Sequence, residues 1–218
     1  MTKKYMLVKT DTIQSSGGKT LYRIKARIAI AAYDLAAGSL GGYVESEDNL
    51  AQTGNAWIFG NAQIYGNARI YGDARIYGDA QIYGNAWIFG NAWIYGDAQI
   101  YGNARIYGNA WIYGDAQIYG NAWIYGDAQI YGDARIYGDA QIYDIMVAAT
   151  RTDGYLFVVA PTSDGPRILA GCRYFTFTQA NTHWKKVRCG TKLGKESLAL
   201  VKHLKTMAKL NGFMEPLK

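Results

Sequence analysis

Two histidines, His183 and His203, are the chain's only imidazoles, and imidazole is the side chain best suited to general-base work near neutral pH. His183 stands beside Trp184, and His203 shares its stretch with Lys202 and Lys205. A general base must sit within hydrogen-bond reach of a bound acceptor, and no convergent polar cleft is legible around either residue. His183 therefore reads as a packing residue and His203 as a solvated one. Cys172 and Cys189 form no CxxC pair and no Cys/His cluster, so no zinc site is expected. They read as small buried thiols, with a bridge between them left open. Gly18-Lys19-Thr20 has the tail of a phosphate-binding loop, but that motif needs a glycine at position 13, where Ile13 stands. The stretch reads as a turn. No catalytic residue, cofactor or metal is expected.

The net charge of +6 is unevenly spread. Residues 144–218 hold twelve Lys/Arg against five acids, whereas residues 54–143 hold four against seven. A candidate basic patch therefore comprises Arg173, Lys185, Lys186, Arg188, Lys192 and Lys195, with Tyr174, Phe175 and Trp184 as stacking partners for a nucleic acid or nucleotide. Lysines around a surface helix are more often simply solvated, and Asp79, Asp97, Asp115 and Asp133 would repel a phosphate backbone. Those aspartates come one per unit, too few oxygens for a calcium cage.

All of these residues must be positioned by one dominant element. From residue 54 to 143 the hexapeptide Gly-[Asn/Asp]-Ala-[Trp/Gln/Arg]-Ile-[Tyr/Phe] recurs fifteen times without a gap. A strict short period means that each unit buries its apolar face by stacking on its copies, so the segment is a solenoid. Neighbouring residues of an extended segment point to opposite faces. Ala and Ile therefore share one face, and the Trp/Gln/Arg slot shares the other with Tyr/Phe. Stacked arginines and glutamines cannot fill a dry interior, so Ala and Ile line the core. Gly and the following Asn/Asp supply a bend every six residues. The Trp/Gln/Arg slot does not itself reveal the coil size, although eighteen residues per coil would stack Gln63, Gln81, Gln99 and Gln117 in one column.

Outside the repeat, residues 5–9 and 21–30 read as a hairpin around Ser15–Gly18. Val44 and Leu50, six apart and in register with Ala56, suggest a degenerate first coil in which Glu45, Glu47 and Asp48 cap the open end. After Asp144 come strands at 145–150, 155–160 and 167–174, with a turn at Ser163–Pro166, then a short helix at 178–184. A second helix at 197–210 carries Leu198, Val201, Leu204, Met207 and Ala208 as its apolar stripe and ends at Gly212. The expected organisation is an N-terminal β cap (1–43), a repeat body (44–143) and a basic α+β C-terminal cap (144–218).

The LGGYVES segment at 40–46, the GNAxIY and GDAxIY units, and the AGCRYFTFTQANTHW segment at 170–184 together resemble phage- and prophage-encoded hexapeptide-repeat proteins, the YdcK-like proteins among them. The resemblance covers nearly the whole chain. It implies an all-β solenoid: a left-handed parallel β-helix with three six-residue sides, about five triangular coils, and small terminal caps. The repeats are also similar to those of hexapeptide acyltransferases. In those enzymes a histidine base and acyl-donor contacts lie between coils, often with loops leaving the helix. Here the repeat body has neither loop nor histidine, which leaves acyl transfer as the alternative to a non-enzymatic scaffold.

The scaffold reading rests on the outer face. Trp57, Trp87, Trp93, Trp111 and Trp123, with Tyr95 and Tyr113, would form columns of rings on the outside of the prism. A broad apolar face of this kind marks a contact surface. It is expected to support a homo-oligomer, a dimer or trimer, or docking of a host or phage protein. No stretch approaches the ~18 apolar residues of a membrane span, and the start MTKKYMLVKTDT lacks a secretion signal. No membrane contact is expected, and the location is expected to be cytoplasmic.

Overall fold

Each hexapeptide forms a two-residue strand, and the glycine between strands turns the chain at a φ of 61 to 95°. A side chain would be strained in that left-handed region. It would also collide with the coil above: a Cβ on Gly72 would lie 2.8 Å from the Gly90 carbonyl oxygen. The computed structural model describes residues 2–130, 132, 134–138, 140–142, 147–162, 164–171, 173–212 and 214. Asp133, Ser163, Cys172 and residues 143–146, where the repeat was expected to end and the next strand to begin, lie outside the described residues.

The strands stack into three walls. One holds Trp57–Ile58, Arg75–Ile76, Trp93–Ile94, Trp111–Ile112 and Gln129–Ile130. The second runs from Gln63–Ile64 to Arg135–Ile136, and the third from Arg69–Ile70 to Gln141–Ile142. Every pairing is parallel and joins residues eighteen apart, as in Trp93 with Trp111 and Gln99 with Gln117. The coil is therefore eighteen residues long, and there are five coils. Backbone N–H groups donate along the axis to the next coil, for example Trp93 to Ala110 at 2.8 Å and Tyr95 to Ile112 at 2.9 Å. Every Ala and Ile of the repeat lies in the bore, none more than 7 % exposed. The expected glutamine column exists, Gln63 through Gln117. The side-chain amide ladders, however, run along the corners. One links Asn67, Asn85, Asn103 and Asn121 at 2.9 to 3.0 Å, and another links Asn91, Asn109 and Asp127.

At the N-terminal end, Tyr5–Gln14 and Thr20–Ala26 form the hairpin, and Leu40–Val44 pairs antiparallel with its second strand. Leu40–Val44 then runs parallel to Gln63–Ile64, so the hairpin extends the second wall. Val44 faces Ile64 and Leu50 faces Ile70. The degenerate coil is thus present, but Val44 and Leu50 occupy the isoleucine column and not the expected Ala56 register. Two residues more than the repeat spacing separate Leu50 from Ile58, which shifts the frame. Asn49 stitches this coil down by donating to the carbonyls of Gly66 and Ala68 at 3.0 and 2.9 Å. Glu45 accepts from the Gly66 N–H at 2.8 Å and from Lys19 at 3.0 Å, so its carboxyl is held below the usual range, the backbone bond first among the causes. Tyr5, Ile24, Ala26 and Ile30 close the bore. The Tyr5 hydroxyl sits 2.8 Å from the Leu50 carbonyl, and buried Lys4 donates to the Ala56 carbonyl at 2.9 Å.

At the other end, four antiparallel strands follow: Val147–Thr150, Leu156–Ala160, Arg167–Ala170 and Arg173–Phe175. The single strand expected over 167–174 is in fact a hairpin, broken at Gly171 with φ 57°. Strand alternation then sorts the side chains. Val158, Ala160 and Leu169 join the solenoid core and seal the bore, whereas Phe157, Val159, Ile168 and Ala170 face two helices, α1 (Phe177–Val187) and α2 (Lys192–Leu210). The first helix begins at a Thr176/Gln179 capping box, which fixes its start one residue before the expected one. The second begins at Lys192, five residues before the expected start, with Thr191 as its N-cap, whose hydroxyl accepts from the Gly194 N–H at 3.0 Å. Its buried stripe is Gly194, Ser197, Val201, Leu204 and Ala208.

Candidate functional site

The eighteen-residue coil gives each wall its own outer chemistry. The second wall is glutamine at four levels and Arg135 at the fifth, flanked by the ring column Tyr65, Tyr83, Tyr101, Tyr119 and Tyr137. Those rings stack with centroids 4.9 to 5.5 Å apart. On the first wall, the Arg75 guanidinium lies between the rings of Tyr33 and Trp93, 4.2 and 4.3 Å from their centroids. Trp93 in turn stacks on Trp111 at 4.9 Å. The third wall alternates Arg69, Trp87, Arg105 and Trp123, and Arg105 lies 4.8 Å from the Trp123 ring and 5.8 Å from the Trp87 ring. Such cation–π contacts hold the rings in fixed poses.

Among the seven aromatic residues expected on the surface, Trp57 is a correction. It stands on the first wall but is fully buried, covered by the N-terminal cap, with Tyr5 edge-on at 6.3 Å. Trp93, Trp123 and Tyr95 are half-buried by their stacked neighbours. Two pairs stay open: Trp87 with Phe89, 43 and 51 % exposed, and Trp111 with Tyr113, 44 and 57 % exposed. They lie on the third and first walls respectively. Phe89, which the sequence reading did not single out, sits with Trp87, Tyr71 and Tyr107 around one apolar groove. Its recurrence two residues after a tryptophan was the available signal.

In the C-terminal cap, five of the six expected basic residues, Lys185, Lys186, Arg188, Lys192 and Lys195, flank the connection between α1 and α2. Lys185 and Lys186 sit in the last turn of α1, where the helix dipole favours cations, and Lys192 pairs with Glu196 at 3.8 Å. Arg173 lies apart, on the last strand, 5.7 Å from the Trp184 ring and 3.4 Å from the Tyr155 hydroxyl. The stacking partners expected beside this patch are not free for it. Trp184 is buried in the helix–sheet core, Phe175 packs against the same core, and Tyr174 packs against the solenoid core.

His183 is on α1, edge-on to Trp184 at 4.8 Å and tilted over Phe175 at 5.0 Å, with its Nε2 buried and unbonded among the described residues. Burial, then the charge of Arg173, holds its pKa below the usual value. Its described contacts are with these two rings, and neither histidine lies on the solenoid. Arg151, expected from no motif, is 3 % exposed and anchors the cap. It forms two 2.8 Å bonds to Asp153, whose carboxyl is held down to about 2 by that contact, and one to Ser197.

Parallel rungs, glycine corners and an Ala/Ile bore define the class as a parallel β-solenoid. Within it, residues 62–78, 68–81, 80–96, 98–114, 116–129 and 128–144 match the family described as YdcK Beta solenoid repeat. Six matches to this repeat model thus fall between residues 62 and 144 of the repeat body. No curated protein matches the chain. Among the described residues, no helix is long and apolar enough to cross a membrane.

Proposed function

We propose that the protein is a non-enzymatic scaffold that binds through the aromatic walls of its solenoid, first of all to a second copy of itself. The observation that carries this reading is the pair of exposed aromatic sites, Trp87/Phe89 at the second level of the third wall and Trp111/Tyr113 at the fourth level of the first, each close to half exposed. Ring stacking between coils accounts for part of the aromatic content, since cross-strand ring pairs contribute about 0.2–1 kcal/mol each. It does not account for rings left facing water, one of them, Trp87, beside the Arg105 guanidinium at 5.8 Å. Tryptophan, tyrosine and arginine are the residues that dominate binding energy when a partner covers them. Two walls with such sites suit lateral packing into a dimer or trimer, or the docking of another protein.

Light scattering and sedimentation of the full chain test this directly. The wild type is expected to exceed the 24.1 kDa monomer mass. Replacing Trp87, Phe89, Trp111 and Tyr113 together by serine is expected to return it to that mass without loss of the β-sheet spectrum. A wild type that stays monomeric at about 0.1 mM, weaker than ordinary specific association, overturns self-association.

A further inference from the structure

The ring column of the third wall is broken where that of the second is continuous. From Tyr65 to Tyr119 on the second wall, successive rings are inclined by only 2 to 3°, with centroids 4.9 to 5.0 Å apart. On the third wall, Phe89 is inclined by 52° to Tyr71 and by 55° to Tyr107, with centroids 6.2 and 6.3 Å apart, and Trp87 is inclined by 59° to Tyr71. These four rings line an open groove of about 280 Å³, slightly below the ~300 Å³ at which sites for drug-sized ligands begin. It has room for one small group. A flat ring system needs parallel walls to slide between, whereas faces inclined to one another surround a rounded group. The rounded group that ring faces hold best is a quaternary ammonium. A primary ammonium is strongly hydrated, and ring faces do not replace the water it would lose.

The edge of the groove carries a charge of its own. Arg105 lies 5.8 Å from the Trp87 ring, and its described side-chain contacts are this ring and that of Trp123. Arg69, on the other side of Trp87, is engaged by Asp48, to whose carbonyl it donates at 3.0 Å and whose carboxylate lies 3.9 Å away. A bare cation beside Arg105 would be repelled, whereas a cation bearing its own anionic group would be drawn in. We infer that the groove binds a small soluble zwitterion of the phosphocholine kind, its trimethylammonium group among Tyr71, Trp87, Phe89 and Tyr107 and its phosphate on Arg105. Guanidinium groups match the spacing of two phosphate oxygens. The site shares Trp87 and Phe89 with the contact proposed between copies but does not depend on it.

Saturation-transfer NMR tests the assignment on the full chain, at a concentration where light scattering gives the 24.1 kDa monomer. Phosphocholine is expected to bind saturably with a Kd of roughly millimolar, as its few heavy atoms allow. Choline, which lacks the phosphate, and phosphoethanolamine, which lacks the methyl groups, are each expected to bind at least about tenfold more weakly. Phe89→Leu, at an exposed position, is expected to weaken phosphocholine about tenfold, and Arg105→Gln is expected to lower it to the level of choline. Trp111→Ser, in the other aromatic site, is expected to leave it unchanged. Absence of saturable binding up to roughly 20 mM, phosphoethanolamine bound as tightly as phosphocholine, or an unchanged affinity in Phe89→Leu or Arg105→Gln overturns the proposal. Because the mass is read separately, a chain that stays monomeric and binds phosphocholine supports this site while removing self-association.

Discussion

Lys4 places an ammonium where water cannot reach: it is 3 % exposed, and the groups it meets are carbonyl oxygens, that of Ala56 at 2.9 Å and that of Gly54 at 3.3 Å. Burial pulls its pKa from 10.5 down to about 8, with the Asp73 carboxylate opposing. Because the folded value is the lower one, the unfolded chain binds more protons between the two, and stability rises with pH across that window. Below about 8 the penalty of the buried charge is fully present, and it is relieved as the pH climbs towards the unfolded value. The gap corresponds to at most about 3 kcal/mol. Urea unfolding at about pH 7 and again at about pH 9.5 is expected to show the wild type gaining about 1–3 kcal/mol relative to Lys4→Met. Equal pH slopes for the two proteins would show that Lys4 keeps an ordinary pKa. Tyr5 acts in the opposite sense, since burial raises its phenol pKa. Its contribution is lost above about pH 10, as unfolded tyrosines ionise.

At the scale of elements, the strand Leu156–Ala160 holds the cap to the body, because its alternate residues serve two cores: Phe157 the helices, Val158 the bore. Phe157→Ala empties a fully buried ring site against Trp184, 5.4 Å away. It is expected to cost about 3–5 kcal/mol. Hydrogen exchange is expected to show α1 and α2 losing protection while the coils keep theirs; uniform loss throughout would mean that cap and solenoid unfold as one unit. How far these elements were legible depended on which positions packing constrains. The bore was readable because Ala56 to Ile142 obey one period, and any slip would place arginine inside. The Trp/Gln/Arg slot, which faces outward and admits almost any side chain, carried little record of the eighteen-residue coil beyond the glutamine column Gln63 to Gln117. The corner asparagines did carry it, since Asn67, Asn85, Asn103 and Asn121 recur at that interval and hydrogen-bond in file. The frame shift after Leu50, the break at Gly171 and the covering of Trp57 were not readable. Each is set by how a cap docks and not by local pattern.

For the molecule as a whole, near-identical units make stability roughly a sum over coils and their interfaces, while the walls make surface chemistry depend on register. Deletion experiments separate the two. Removing residues 90–107, one whole coil, joins Phe89 to Gly108 in frame, shortens the column by about 5 Å, and leaves every later residue on its own wall. Removing residues 96–101, one side, also joins Tyr95 to Gly102 in frame, but moves every later residue round by one wall. Trp111 and Tyr113 then stand on the third wall directly after Trp87 and Phe89, so both open aromatic pairs share one face. Both deletions preserve the Ala/Ile bore and the glycine corners, and both are expected to give cooperative melts and a β-sheet spectrum. Removing residues 96–98 sets the remaining corner glycines out of phase with the walls and is expected to abolish cooperative folding of the body. If the aromatic pairs on two separate walls drive assembly, the whole-coil deletion keeps the wild-type stoichiometry in light scattering and the one-side deletion changes it. Identical masses for both, with both folded, would show that the distribution of rings between walls has no part in association.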